Sequence, residues 1–173
     1  MLLSEILKKS NVPYDLVRTS PDFLYTFHTP SMSIDVHIIP KKWPSSEQVA
    51  NALLRKIKNN QDLEDSNMAD LKQKYGGVYE VTFQPAGSDY FGMTNTHEDM
   101  IKIMSAVIQI VKDFVSTHKT AELMFVANKK EKGRVKLYNR IVQTMPQSNN
   151  FTLVDKVDTG DRIHYMLANN DLI

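Results

Sequence analysis

Six cations crowd one short stretch of the chain: Lys129, Lys130, Lys132, Arg134, Lys136 and Arg140. Lysine and arginine at that density can receive a phosphate-bearing ligand, a nucleic acid or an acidic protein surface, and the same residues can equally form a solvated loop and helix start. Among them stands Tyr138, on a helical face shared with Val135, Ile141, Val142 and Met145, where an aromatic ordinarily packs in the core. The histidines are His28, His37, His97, His118 and His164, and no two have the four-residue spacing that puts a metal pair on one helix face. His97-Glu98 begins like a zinc-protease helix, but Ile101 occupies the place of the second histidine. His28 and His37 could approach one another across neighbouring strands, without a carboxylate that the sequence places beside them. No metal site is expected. Nucleophile elbow, phosphate-binding loop and dinucleotide fingerprint are all missing, so ordinary hydrolase, nucleotidase and dehydrogenase chemistry lacks support.

The elements that must carry these residues follow from periodicity. Leu2, Leu3, Ile6 and Leu7 predict a short docking helix that ends before Pro13. From Tyr14 to Lys41 short alternating runs predict two or three antiparallel strands, with a turn at Thr29-Pro30-Ser31. Ser45 and Gln48 read as a capping box opening a helix with Val49, Leu53, Leu54 and Ile57 on its buried stripe, and a second helix is expected from about Asn67 to Tyr75, stopped by Gly76-Gly77. Trp43 lies at the turn before them, as an anchor on the sheet or an exposed contact. Val78 to Gln84 reads as a strand with Tyr79, Val81 and Phe83 on one face, followed by a loop from Pro85 to Asn95. Met100, Ile103, Met104, Val107, Val111 and Phe114 then mark a broadly apolar helix. The remainder reads strand at Glu122 to Ala127, helix at Arg134 to Met145, a strand from Phe151 to Val154 and a last strand ending near Ala168.

At 173 residues with a formal charge of +1, the chain suits a single domain over 1–173, and its near-neutral balance argues against nucleic acid as the main partner. The absence of cysteine removes disulfides and thiolate chemistry and fits a reducing compartment. Neither a signal peptide nor a membrane span is expected, which favours a cytoplasmic protein.

The order from Val78 to Ala168, together with Val126-Ala127-Asn128 followed by Arg134-Val135-Lys136-Leu137-Tyr138, resembles the acyl-CoA-binding half of the GCN5-related N-acetyltransferase (GNAT) fold. It is similar in particular to a GNAT-like group encoded by bacteriophages, over roughly the last half of the chain. The resemblance implies an α+β domain with a mostly antiparallel central sheet of six or seven strands flanked by helices, here with a helical insertion near 45–75. It implies that Tyr138 occupies the place of the family's general acid to the leaving thiolate. It also implies that backbone amides of Gly92, Thr94, Asn95, Thr96 and His97 are where the coenzyme pyrophosphate would lie. At that loop the chain departs from the family pattern: of its glycines only Gly92 remains, and Thr96 with Asp99 reads as a self-sufficient helix cap, with Glu98 and Asp99 putting two carboxylates in the first turn.

Two functions follow as expectations. The first is a phage-encoded, non-catalytic GNAT-like protein with no cofactor, acting through contacts with a protein partner in the host cytoplasm or in a phage particle, without a membrane. The alternative is an acetyl-CoA-dependent N-acyltransferase in which Tyr138 is the acid and Glu80 or a nearby carboxylate helps deprotonate an amine. A third reading is nucleic-acid binding through Lys129 to Arg140.

Overall fold

The computed structural model describes residues 11–41, 73–87, 97–145 and 150–171. In chain order the elements are β1 (Tyr14–Arg18), β2 (Phe23–His28), β3 (Ser33–Lys41), β4 (Gly77–Pro85), α1 (His97–Thr117), β5 (Thr120–Asn128), α2 (Lys132–Thr144), β6 (Phe151–Asp158) and β7 (Arg162–Asn169). The helices expected at Met1 to Lys9 and Ser45 to Ile57, and Trp43, lie outside the described residues; of the helix expected at 67–75, residues 73–75 are helical.

One seven-stranded sheet runs in the order β1-β2-β3-β4-β5-β7-β6. Every neighbouring pair is antiparallel except β4 with β5. A parallel pair cannot be closed by a hairpin and needs a crossover, which α1 supplies. This is an α+β fold with the mostly antiparallel, GNAT-like sheet that the element order implies.

Strand alternation sorts the side chains. On one face, Phe27, Ile34, Val36, Ile38, Val81, Phe83, Phe125 and Leu167 are fully buried, and α1 and α2 pack over them. Burial of side chains of this size is worth about 1.5–3 kcal/mol each. In α1 only Gln109 surfaces between Ile103 and Val111, as expected of a helix apolar on most of its circumference. Phe114 anchors its C-terminal end, with ring centroids 4.9 Å from both Phe23 and Tyr79 and the His118 ring stacked at 4.4 Å. The other sheet face carries Thr26, Asp35, His37, Glu80 and Thr82, all partly accessible.

The start of β4 depends on a glycine. Gly76 has φ of +96°, and a Cβ there would lie 2.1 Å from the carbonyl carbon and oxygen of Lys119. That close approach lets the Gly77 N–H donate to the Lys119 carbonyl at 3.0 Å, joining β4 to the turn before β5.

Candidate functional site: a fork between two parallel strands

β4 and β5 part company halfway along. Their register runs from Gly77 opposite Thr120 to Val81 opposite Phe125 and stops there. Both strands nevertheless continue: β4 stays paired with β3 as far as Pro85, and β5 with β7 as far as Asn128. Thr82 to Pro85 and Val126 to Asn128 therefore form two diverging edges that do not pair with each other, over about 10 Å at the usual strand rise. In the middle of a sheet, such edges present backbone donors and acceptors that an extended amide-bearing molecule can take up.

Tyr138 sits under the crotch of this fork. Its ring is 5.0 Å from Phe83 on β4, 5.4 Å from Phe125 on β5 and 6.4 Å from Tyr165 on β7, all edge-on. It is wholly buried. Burial pushes its pKa up to about 12, while the Arg134 guanidinium, the Thr82 side chain and the Phe83 backbone pull it back and Glu80 raises it slightly. Thr82 and Phe83 lie against the hydroxyl, but neither closes a hydrogen bond of normal geometry with it. The phenol is thus a protonated group at the fork throughout the physiological range.

The basic stretch divides. Asn128 shapes the turn into α2, its Oδ1 accepting from the Lys130 N–H at 2.9 Å. Lys130, Lys132 and Lys136 are exposed and Arg140 is half-buried. Lys129 reaches across to Asp158 at 2.7 Å, a hydrogen bond that holds the Asp158 carboxyl below its ordinary value. Arg134 turns inward: it is buried and ion-paired with Glu131 at 3.0 Å. Position on the helix explains this, since Arg134 shares a stripe with Leu137, Tyr138, Ile141 and Met145, all buried.

Of the coenzyme loop, Gly92, Thr94, Asn95 and Thr96 lie outside the described residues, and His97 is the first residue of α1. Asp99, expected to add negative charge at the mouth of α1, is buried and accepts a hydrogen bond from Ser31 in the turn between β2 and β3. It ties the helix start to the sheet. Glu80 is paired with Lys41 at 2.8 Å. His28 and His37 do not meet: His28 stands opposite Ser33, with its Nδ1 2.7 Å from the Ser33 Oγ, while His37 stands opposite Leu24. His37 Nδ1 lies 2.6 Å from Asp22 Oδ2, a carboxylate that the sequence alone had not placed there. Among the described residues no three His, Asp or Glu side chains gather to hold a metal ion, and no helix is long and apolar enough to cross a membrane.

Strand order, with its single parallel pair among the described residues, gives the mostly antiparallel α+β sheet expected from the sequence resemblance. No protein-family model matches the sequence, and no curated protein matches it either. Among solved structures the chain is similar to the crystal structure of Arabidopsis thaliana NAA60 in complex with acetyl-CoA, at 9% sequence identity and a TM-score of 0.37, covering 91% of this chain and 97% of that chain.

Proposed function

We propose that this protein is an N-acyltransferase that takes an acyl-coenzyme A into the fork between β4 and β5. The observation that carries the reading is the fork itself: two strand edges that stop pairing with each other while both keep their outer partners. The residues present suit such a ligand. The edges can pair with the amides of its extended arm, and the buried, protonated Tyr138 beside them would serve as proton donor to a departing thiolate. Asp99 is buried and turned to Ser31 in the β2–β3 turn. When bound, the coenzyme supplies an activated thioester; the chain orients it and shields it from water.

Titration calorimetry with acetyl-CoA and with free coenzyme A tests this reading. Saturable binding that raises the melting temperature is expected, with stabilisation of about 2.7 kcal/mol at a hundredfold excess over Kd. Absence of heat and of any thermal shift at millimolar ligand would refute it.

One observation favours a second reading, that of a non-catalytic GNAT-like protein acting through protein contacts, of the phage-encoded kind. The Tyr138 phenol is wholly enclosed by Phe83, Phe125 and Tyr165, as a core residue would be. On that reading coenzyme A leaves stability unchanged and a specific protein copurifies.

A further inference from the structure

Resting on the acyltransferase reading, we infer that His37, held by Asp22, is the catalytic base of this protein. Asp22 ends the turn between β1 and β2 and is buried; its Oδ2 lies 2.6 Å from His37 Nδ1, and its Oδ1 takes the Arg18 guanidinium at 2.5 Å. The hydrogen bond to His37, then that to Arg18, holds the Asp22 carboxyl below its ordinary range despite burial. A carboxylate can only accept, so the proton of a neutral imidazole sits on Nδ1 and the Nε2 lone pair is left open. This is the arrangement by which a carboxylate orients a histidine as a base.

Its place in the sheet ties the pair to the fork. His37 is the cross-strand partner of Thr82, and Thr82 is the first β4 residue beyond the last β4–β5 pair. His37 lies on the sheet face opposite the helices, whereas Tyr138 approaches the same crotch from the helix face, with Thr82 against its hydroxyl. A thioester in the fork would therefore have Tyr138 on the helix face and His37 on the opposite face, one strand away across Thr82. The His37 side chain remains about one-fifth exposed, so it is not sealed from solvent. Glu80, the carboxylate first considered for this role, is occupied by Lys41.

The step balances without a further reactant. Nε2 of His37 accepts a proton from the acceptor ammonium, and the freed amine nitrogen forms a bond to the thioester carbonyl carbon. The carbon–sulfur bond then breaks and the thiolate takes a proton from the Tyr138 hydroxyl; the nitrogen of the new amide gives up its second proton, which restores the Tyr138 phenol by way of water, and His37 releases its proton to solvent. The charged groups that bear on His37 are Asp22 and Arg18 at its Nδ1 side, Asp35 and Lys41 along β3, and Glu80 on β4.

The test compares wild type with His37→Gln and Asp22→Asn. Acetyl-CoA affinity is read by calorimetry, acetylation of a set of primary amines (amino-terminal peptides, lysine peptides and spermidine) by mass spectrometry and thiol release, and the His37 ring by nitrogen-15 NMR. Gln keeps a donor for Asp22, so the fold should survive, as its melting curve will show. In wild type, the NMR spectrum of the neutral ring should show the proton on Nδ1. His37→Gln should lower turnover by roughly 100-fold or more with Kd for acetyl-CoA unchanged. Asp22→Asn should shift the tautomer balance and lower turnover less. Full turnover in His37→Gln, or a proton fixed on Nε2, would overturn the assignment while leaving the acyltransferase reading standing. Wild type that fails to bind acetyl-CoA, or binds it without acetylating any amine, would overturn both.

Discussion

Removing one oxygen atom from Tyr138 tests the account of the fork. The wild-type hydroxyl is wholly buried and closes no hydrogen bond of normal geometry. Such burial of a hydroxyl costs about 1–3 kcal/mol in proteins. At pH 8 Tyr138→Phe should therefore be as stable as wild type or more stable by up to about 1 kcal/mol, because the ring contacts with Phe83 and Phe125 remain. Alkali sharpens the test. The folded pKa, about 12, lies above the ordinary 10.0. The stabilising contribution of the protonated phenol is thus complete below pH 10 and is lost as pH rises through 12. At about 1.4 kcal/mol per pH unit, the loss is about 1.4 kcal/mol at pH 11 and about 3 kcal/mol once both states are ionised. The phenylalanine variant lacks this loss, so its advantage should grow by about 1.4 kcal/mol between pH 8 and pH 11, measured by urea unfolding of both proteins at each pH. Other groups titrate in that range, but they are common to the two proteins. A variant at least 1 kcal/mol less stable at pH 8, with a parallel pH dependence, would show that the hydroxyl has a partner and would refute the reasoning. In an acyltransferase the same change should also lower turnover while acetyl-CoA binding persists.

Two further perturbations probe the surroundings of the site. Gly76→Ala should destabilise by about 2–3 kcal/mol, since it puts a Cβ 2.1 Å from the Lys119 backbone at a positive φ; a melting temperature equal to wild type would contradict this packing. Lys136→Glu should change stability by less than about 0.5 kcal/mol, as its side chain is exposed. Arg134→Ala should cost clearly more, because it leaves the Glu131 carboxylate, paired at 3.0 Å and largely buried, without that cation. Equal effects of the two changes would place Arg134 on the surface after all.

Much of the scaffold was legible because its signals are local. The alternation at Tyr79, Val81 and Phe83 marks β4, and the three- and four-residue steps from Met100 to Phe114 mark α1 to within three residues of each end. Arg134 shows how a local signal can mislead. Its charge and its basic neighbours suggest a surface, yet its spacing from Leu137, Tyr138 and Ile141 puts it on the buried stripe, and the period decides. The fork left no trace in the sequence, since alternation continues through Phe83 whether or not β4 keeps its partner on the β5 side. Nor did the contact of Asp22 with His37, because residues fifteen apart meet only once the hairpin register pairs Phe23 with Ile38. Registers and their interruptions are set by turn geometry and by strands distant in the chain.

Topology explains why these features collect at one end of the sheet. A parallel β4–β5 pair obliges the chain to leave β4 at its C-terminal end, return through α1, and enter β5 pointing the same way. The exit from β4 and the exit from β5 into α2 must then lie at the same sheet end, and pairing fails at that end. Had β4 and β5 diverged at their other ends, the gap would open beside Gly76 and the turn before β5, where the Gly77 N–H closes on the Lys119 carbonyl and nothing is left for a ligand. The tight Gly76 joint at one end therefore complements the fork at the other: together with the register shift between Gly77 and Val78 it brings Val81 opposite Phe125 and leaves Thr82 as the first β4 residue unpaired on the β5 side, next to His37 and Tyr138. A substitution that loosens that joint should let the register slip, and the fork would lose its alignment before the core lost its packing.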